Sequence, residues 1–249
     1  MNCCLQLDVG NSSAKWRMRL GEGIVARGMF RHGDSVARDT LISTPGEPGQ
    51  IWISSVARPE VEAELADRLR QRWNVEPWFA RTPARCGDLV NSYAEPERMG
   101  VDRWLAMLGA RNHCASRLCL VDAGSALTVD LVAAAGHHEG GYIIPGPALM
   151  ERALLLDTDR VRFEESVDYN LRPGASTAEA VRHGIALAQA GAVALALKQA
   201  GSPTPTLFFC GGAGETLMQL LGQGGNYLPD LVFEGLEVMA SDSGFVRLD

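Results

Sequence analysis

Cys3-Cys4-Leu5-Gln6-Leu7-Asp8-Val9-Gly10-Asn11-Ser12-Ser13-Ala14-Lys15 is the stretch that decides how the rest of this chain is read. An apolar-rich run, the pattern of a buried strand, ends in Asp-x-Gly-Asn-Ser, and a basic residue follows three positions after Ser12. Gly10 suits a tight turn with positive φ and lets backbone approach a ligand with no side chain in the way. Asn11 and Ser12 suit the turn and supply short polar groups. Such a turn can aim N–H groups, a hydroxyl and Lys15 at a phosphate, while Asp8 can hold Mg²⁺ through water, as a hard cation with oxygen ligands allows. A plain β-hairpin with a Gly-Asn-Ser turn fits the same residues, so one such turn does not choose between the two readings.

The theme returns in the second half. Leu118-Cys119-Leu120-Val121-Asp122-Ala123-Gly124-Ser125-Ala126-Leu127-Thr128 is again an apolar strand, Asp-x-Gly, a hydroxyl residue and a second strand that runs to Ala133. Two such turns, each ending the first strand of a half, imply duplicated lobes that face one cleft with a phosphate site. The flanking pattern fits. Strands are expected at 14–20, 24–30, 50–56 and 75–80, and helices at 34–43 and 59–73, the latter opening on Pro59 with acidic residues behind it. The first half therefore reads β-β-β-α-β-α-β, a mixed α/β arrangement. Residues 81–98 form a loop long enough to suggest function. It leads to Gly100-Val101-Asp102-Arg103-Trp104 and a helical run over 105–115; a first-turn or N-cap acid is the plainer account of Asp102.

Beyond the second turn, Gly140–Gly146 reads as a strand running into a helix over 147–156, and 157–173 is irregular. Residues 177–200 form a long Ala- and Leu-rich helix capped by Ser176 or Thr177, with Glu179 in its first turn. Its small residues would let another helix come close, either a second subunit or a neighbour within one chain. Thr206–Cys210 is a strand that ends in Gly211-Gly212, a turn open enough for a flat ligand such as adenine. A last strand is expected at 229–233, then a short helix at 234–240 and an irregular tail.

The bulk properties narrow the class. The chain has 249 residues, 46% hydrophobic and 21% charged, as in an ordinary globular protein. A net charge of −7 argues against a general nucleic-acid or anionic-membrane binder. No apolar run of transmembrane length and no signal-peptide pattern are apparent, which suggests a cytoplasmic protein. The six cysteines make no C-x-x-C, and the five histidines no H-E-x-x-H, so structural zinc and a disulfide framework are not expected. His137-His138-Glu139 reads as a solvated turn.

Taken together, these residues resemble the type III pantothenate kinases, within the acetate and sugar kinase, heat-shock chaperone and actin superfamily. The resemblance runs in order along nearly the whole chain. It comprises Asp8-x-Gly-Asn-Ser-x-x-Lys15, Asn91-x-Tyr93, Gly100-x-Asp-Arg103-Trp, Asp122-x-Gly-Ser125, Gly140-Gly-x-Ile-x-Pro-Gly146, Thr177-x-x-Ala-x-x-x-Gly184 and Gly211-Gly212. It implies two ribonuclease-H-like (actin-like) lobes of mixed sheets flanked by helices, 1–116 and 117–249, with a cleft between them. It also implies a homodimer with a shared active site, and ATP-dependent phosphorylation of pantothenate to 4′-phosphopantothenate, the first step toward coenzyme A.

Position by position, the resemblance implies that Asp8, Val9, Gly10, Asn11, Ser12, Ser13, Ala14 and Lys15 hold the ATP phosphates, with Asp8 near Mg²⁺. Ser125 is the second phosphate contact, and Gly211 and Gly212 border the nucleotide. Asp122 binds a monovalent cation, K⁺ or NH₄⁺. Tyr93, Gly100, Val101, Asp102 and Arg103 contact pantothenate, as does Thr177 from the partner subunit, and Asp102 is the general base. Ser12 and Ser125 stand where the family usually has Thr, and Ala123 where a larger aliphatic is common. The alternative is a non-catalytic relative that acts as an accessory factor in transcriptional regulation; the presence of Asp8, Asp102 and Arg103 favours the enzyme.

Overall fold

A computed structural model describes residues 3–245; the end of the expected tail, 246–249, lies outside the described residues. The chain folds as mixed α/β and divides into two compact units, 1–112 with 231–249, and 113–230.

In the first unit, β1 (Cys3–Val9), β2 (Ser13–Leu20) and β3 (Gly23–Arg31) form an antiparallel meander. After α1 (Ser35–Ser43), β4 (Gln50–Ser55) pairs parallel with β1, and after α2 (Pro59–Trp73), β5 (Trp78–Phe79) pairs parallel with β4. The sheet order is thus β3-β2-β1-β4-β5. The 81–98 loop carries a small hairpin, β6 (Arg85–Cys86) and β7 (Leu89–Val90), and a 3₁₀ turn, Pro96–Arg98, before α3 (Val101–His113).

The second unit repeats the plan. The strands β8 (Leu118–Ala123), β9 (Ala126–Val132) and β10 (His138–Pro145) form the meander, followed by α4 (Pro147–Asp157) and α5 (Thr177–Ala200). Then β11 (Thr206–Cys210) pairs parallel with β8, and after α6 (Gly214–Leu221), β12 (Asn226–Tyr227) pairs parallel with β11. Its order, β10-β9-β8-β11-β12, matches the first sheet strand for strand.

Alternation along β1 gives the first sheet two unlike faces. Leu5, Leu7, Val9, Ala14, Trp16, Met18, Ile51 and Ile53 pack with Leu41 of α1 and Leu65 and Leu69 of α2 into one apolar core. Gln6 and Asp8 therefore point the other way. That face is covered by the last helix, α7 (Leu231–Asp242), which packs on β1 and β4. There Arg17 Nε donates to Gln6 Oε1 at 2.6 Å and its Nη2 to Glu237 Oε1 at 2.8 Å, while Arg19 also donates to Glu237. The Arg17 guanidinium lies 4.7 Å from the centre of the Phe233 ring. Gly109 of α3 lies against the Leu231 backbone, and Gly235 of α7 against the Leu105 backbone, so a side chain at either glycine would hold the two helices apart.

Several expectations need correction. Residues 231–233 are the first turn of α7 rather than a strand, because Leu231, Leu236, Met239 and Ala240 recur at helical spacing and are buried. The strand lies upstream, at Asn226–Tyr227. The resemblance implies lobes of 1–116 and 117–249, while the last helix packs with the first unit in the structure. The helix expected from Leu105 begins at Val101. Gly10 does not take positive φ; the turn closes instead through Gly10 N to Ser13 O at 3.0 Å. Finally, α5 is long and apolar enough by length and composition to cross a membrane. Arg182, His183 and Gln189 interrupt it, so counting unbroken apolar runs overlooks it. Its stripe of Ala190, Val193 and Ala196 packs into the core of the second sheet.

The six cysteines are free thiols. Burial pushes Cys119 up to about 12 and Cys86 up to about 11, which makes both poor nucleophiles near neutral pH.

Removing Glu237 leaves Arg17, which is 5% exposed, with one charged partner fewer. Glu237→Ala is expected to cost about 2–4 kcal/mol, below the full value for a buried pair because Glu237 is partly open to water. Urea denaturation measures this, with Glu237→Gln falling between; a loss under about 0.5 kcal/mol, the level of an ordinary surface change, would refute the role given to this contact.

Candidate active site

In the first unit the site is built on the carboxyl ends of β1 and β4. Asp8 is half-buried and stands in register with Lys15 on one side and Ser54 on the other. Residues in register on neighbouring strands share a face, so the three form a polar row. Ser54 Oγ donates to Asp8 Oδ1 at 3.0 Å. Val9 and Ala14 turn their side chains into the core, so what they offer a ligand is backbone. Asn11 and Ser12 are exposed at the tip of the turn, with Ser13 half-buried at the start of β2. Behind the tip, His32 N donates to Ser12 O at 3.1 Å, and His32 Nε2 lies 2.7 Å from Gly10 O.

The Gly100–Arg103 segment adjoins this turn. Val56 N, just past β4, donates to Val9 O at 3.0 Å. A Cβ at Gly100 would lie 3.8 Å from Val56 Cγ1 and 2.6 Å from Asp102 Oδ1. A shared neighbour, Val56, thus links the Asp102 helix start to the end of β1. Asp102 lies in the first turn of α3, where its Oδ1 accepts from Arg103 N at 2.8 Å. A negative side chain is favoured there by the helix dipole. Arg103 is 5% exposed, and its Nη1 donates to Tyr93 Oη at 3.0 Å. Tyr93 is fixed in turn by Asn91, whose Oδ1 accepts from Tyr93 N at 2.9 Å. Thr82 Oγ1 donates to Met99 O at 2.9 Å and pins the end of the loop. Tyr93, Gly100, Val101, Asp102 and Arg103 are therefore brought together.

In the second unit the parallel construction holds Asp122, Ser125, Gly211 and Gly212. Asp122 is in register with Thr128 of β9 and Cys210 of β11. Gly211, with φ +78°, lies directly against the Asp122 carboxylate, and a Cβ there would stand 2.5 Å from Ala123 O. Ala213 N donates to Ala123 O at 2.9 Å, and Tyr227 Oη to Gly211 O at 3.2 Å. Burial first, then nearby carboxylates led by Glu215, raise Tyr227 above the ordinary phenol value and keep that proton in place. Gly146 N donates to Ser125 O at 3.1 Å, and a Cβ at Gly146 would stand 2.5 Å from Gly124 O, so the Pro145–Gly146 bend packs backbone to backbone on the Asp-x-Gly turn. Thr128 is 9% exposed, and its Oγ1 has no hydrogen-bond partner.

Thr177 is the first residue of α5. The cap is Ser176, whose side chain accepts from Glu179 N at 3.2 Å, and Glu179 Oε2 accepts from Ala175 N at 2.6 Å. Thr177 is thus exposed and not used as the cap. Among the described residues, no group of three or more His, Cys, Asp and Glu could hold a metal ion. Two residues of the site, Ser54 and Thr128, escape a reading of the sequence. A hydroxyl inside each apolar strand is the only signal that could have marked them.

The profile of the type III pantothenate kinase family matches residues 4–199. A type III pantothenate kinase of Marinobacter nauticus is 35% identical over 237 residues, covering 95% of this chain and 98% of the relative. That of Pseudomonas aeruginosa is 37% identical over 241 residues, covering 93% and 96%. Among solved structures, a Campylobacter jejuni protein described as a Baf family transcriptional activator has a TM-score of 0.62 at 22% identity, with 96% and 98% covered. A Sinorhizobium meliloti protein described as a 2-dehydro-3-deoxygalactonokinase has a TM-score of 0.61 at 16% identity, with 95% and 97% covered. These last two likenesses establish the fold alone.

Gly211→Ala forces a side chain into a left-handed backbone against Asp122, and is expected to destabilise by about 1–3 kcal/mol. Gly212→Ala, whose Cβ would meet nothing within 4 Å, is the matched control and should stay within about 0.5 kcal/mol. Equal midpoints for the two variants in urea would contradict this packing.

Proposed function

The chain belongs to the type III pantothenate kinase family and phosphorylates pantothenate with ATP in coenzyme A biosynthesis, and we propose that Asp102 is its general base. The observation that carries this reading is the shared neighbour, Val56, of the Asp102 helix start and the β1 turn, within one unit. The pantothenate hydroxyl is a weak nucleophile. A carboxylate within hydrogen-bond reach accepts its proton as the bond to phosphorus forms.

Positioning and charge neutralisation supply most of the acceleration in phosphoryl transfer. We assign Lys15, Ser12 and the N–H groups of residues 8–15 to the ATP phosphates, with Ser125 as a further phosphate contact and Gly211 and Gly212 bordering the nucleotide. Asp8, which accepts a hydrogen bond from Ser54 Oγ, would hold a hard divalent cation beside the phosphate oxygens. When bound, Mg²⁺ neutralises charge on those oxygens. Arg103 presents a planar fork to the pantothenate carboxylate, with Tyr93 as its neighbour on the protein side.

Asp122 fits a monovalent cation, K⁺ or NH₄⁺. The unpartnered Thr128 hydroxyl stands in register beside it, an oxygen ligand that a cation would satisfy. A homodimer with Thr177 of the partner subunit completing the pantothenate site is supported by apolar surface left uncovered in one chain. None of the residues of α4 is buried; Tyr142, Ile143 and Leu149 are exposed, as are Leu187 and Leu195 of α5. A Cβ placed on Gly184 or Gly191 of α5 would meet nothing within 4 Å, which leaves room for a close helix. We place the enzyme in the cytoplasm, where its free thiols are stable. A non-catalytic regulatory role is not favoured, since Asp8, Asp102 and Arg103 are all retained and the curated relatives are kinases.

Asp102→Asn is expected to lower kcat by about 10²–10⁴ while leaving ATP and pantothenate affinity within a few-fold. Pantothenate-dependent ADP release measures it, and unchanged kcat would sink the base assignment. The same assay with K⁺, NH₄⁺ or Na⁺ as sole monovalent salt is expected to show stimulation by the first two, reduced in Thr128→Val. Equal rates in all three salts would remove the cation from the site. In verified mixed dimers, Asp102→Asn and Thr177→Arg subunits are expected to restore one native site; no recovery would end the shared-site reading.

A further inference from the structure

We propose that Ser54 is a positioning residue that aims the Asp8 carboxylate at the divalent metal of the bound nucleotide. This rests on the reading above in which Asp8 serves the metal side of ATP. Ser54 is closed to water, and its neighbours from Ile51 to Ser55 are buried with it. Alternation along β4 divides them. Ile51 and Ile53 join the apolar core, while Ser54 faces the side that carries Asp8. The adjacent Ser55 has a different task, accepting from Ala57 N at 3.2 Å to shape the strand end.

A serine hydroxyl has one proton to donate, and at Ser54 it goes to Asp8 Oδ1 at 3.0 Å. Buried away from water, that hydroxyl has no solvent acceptor to compete for the proton. A carboxylate at a strand end can turn about its last torsion, whose energy profile is broad. The hydrogen bond selects one plane, with Lys15 in register on the opposite side. Hydrogen bonds of this kind to metal-ligating carboxylates typically matter about 10–100-fold in metal affinity.

The duplicated sheet supplies an internal comparison. The position equivalent to Ser54 is Cys210, which stands beside Asp122 in the same parallel register. A thiol is a weak donor. Pairing of the parallel strand next to an Asp-x-Gly turn therefore does not require a hydroxyl, and a serine at this position beside Asp8, where Asp122 has a cysteine, points to a task specific to the first carboxylate.

The test is ATP binding by titration calorimetry with and without Mg²⁺, together with the Mg²⁺ dependence of turnover, in the full-length protein. In Ser54→Ala and Ser54→Cys, the Mg²⁺-dependent gain in ATP affinity is expected to fall about tenfold, and the Mg²⁺ needed for half-maximal turnover to rise by a similar factor. Metal-free ATP affinity should stay within about twofold, a separation that a general loss of structure would not give. Ser54→Thr, which keeps the hydroxyl, is expected to retain wild-type Mg²⁺ dependence. Unchanged Mg²⁺ dependence in folded Ser54→Ala overturns the proposal. Asp8→Asn separates the two readings: if it weakens the Mg²⁺ response and Ser54→Ala does not, Ser54 alone is refuted. If neither variant changes it, Asp8 loses its metal role and the proposal falls with it.

Discussion

A buried cation is the constraint on which the first unit depends. Arg17 lies inside β2 on the face opposite the apolar core, almost closed to water. A guanidinium in that position is tolerable only with partners that offset its lost hydration. Gln6 supplies one across the strand pair, and Glu237 supplies the charge from a helix more than two hundred residues away in sequence. The last helix therefore returns to the first sheet, with Phe233 stacked on the same guanidinium and Gly235 allowing close approach to α3. The polar row of Asp8, Lys15 and Ser54 is one step along β1 from this closed network. It lies at the end of the sheet, where Asp8 and Lys15 remain partly open.

Duplication gives the two halves one strand order and two chemistries. Each first strand ends in Asp-x-Gly, and each such Asp stands between a meander strand and a parallel strand. Around Asp8 the neighbours are a lysine and a hydroxyl that donates to it; around Asp122 they are a threonine whose hydroxyl has no partner and a cysteine. The first set suits a multiply charged phosphate and a divalent ion. The second carries less charge and offers neutral oxygen. One architecture, filled differently, thus sets two unlike polar environments at the two Asp-x-Gly turns.

The segment that leads into α3 shows how a long loop becomes ordered. Residues 81–98 have a small hairpin, and two hydrogen bonds fix the positions that matter. Asn91 orders Tyr93, and Thr82 orders Met99, next to Gly100. Gly100 then packs against Val56, so the start of α3 and the end of β1 share a neighbour. The absence of a side chain at Gly100 leaves the space that the Asp102 carboxylate occupies.

Local pattern was enough to mark the two Asp-x-Gly turns, the strand and helix order of the meanders, the limits of α2, α5 and β11, and the family. Those features rest on alternation, helical spacing, caps and turn residues, which act within a few positions of the chain. The same pattern could not show that Leu231–Phe233 open a helix, since a short apolar run suits strand and helix alike. Nor could it show that this helix returns to the first sheet, because Glu237 and Arg17 meet only in space. The same reason hid Ser54 and Thr128. Each is an ordinary hydroxyl in an apolar strand until the register places it beside an aspartate, and register between distant strands is set by how the folded sheet packs.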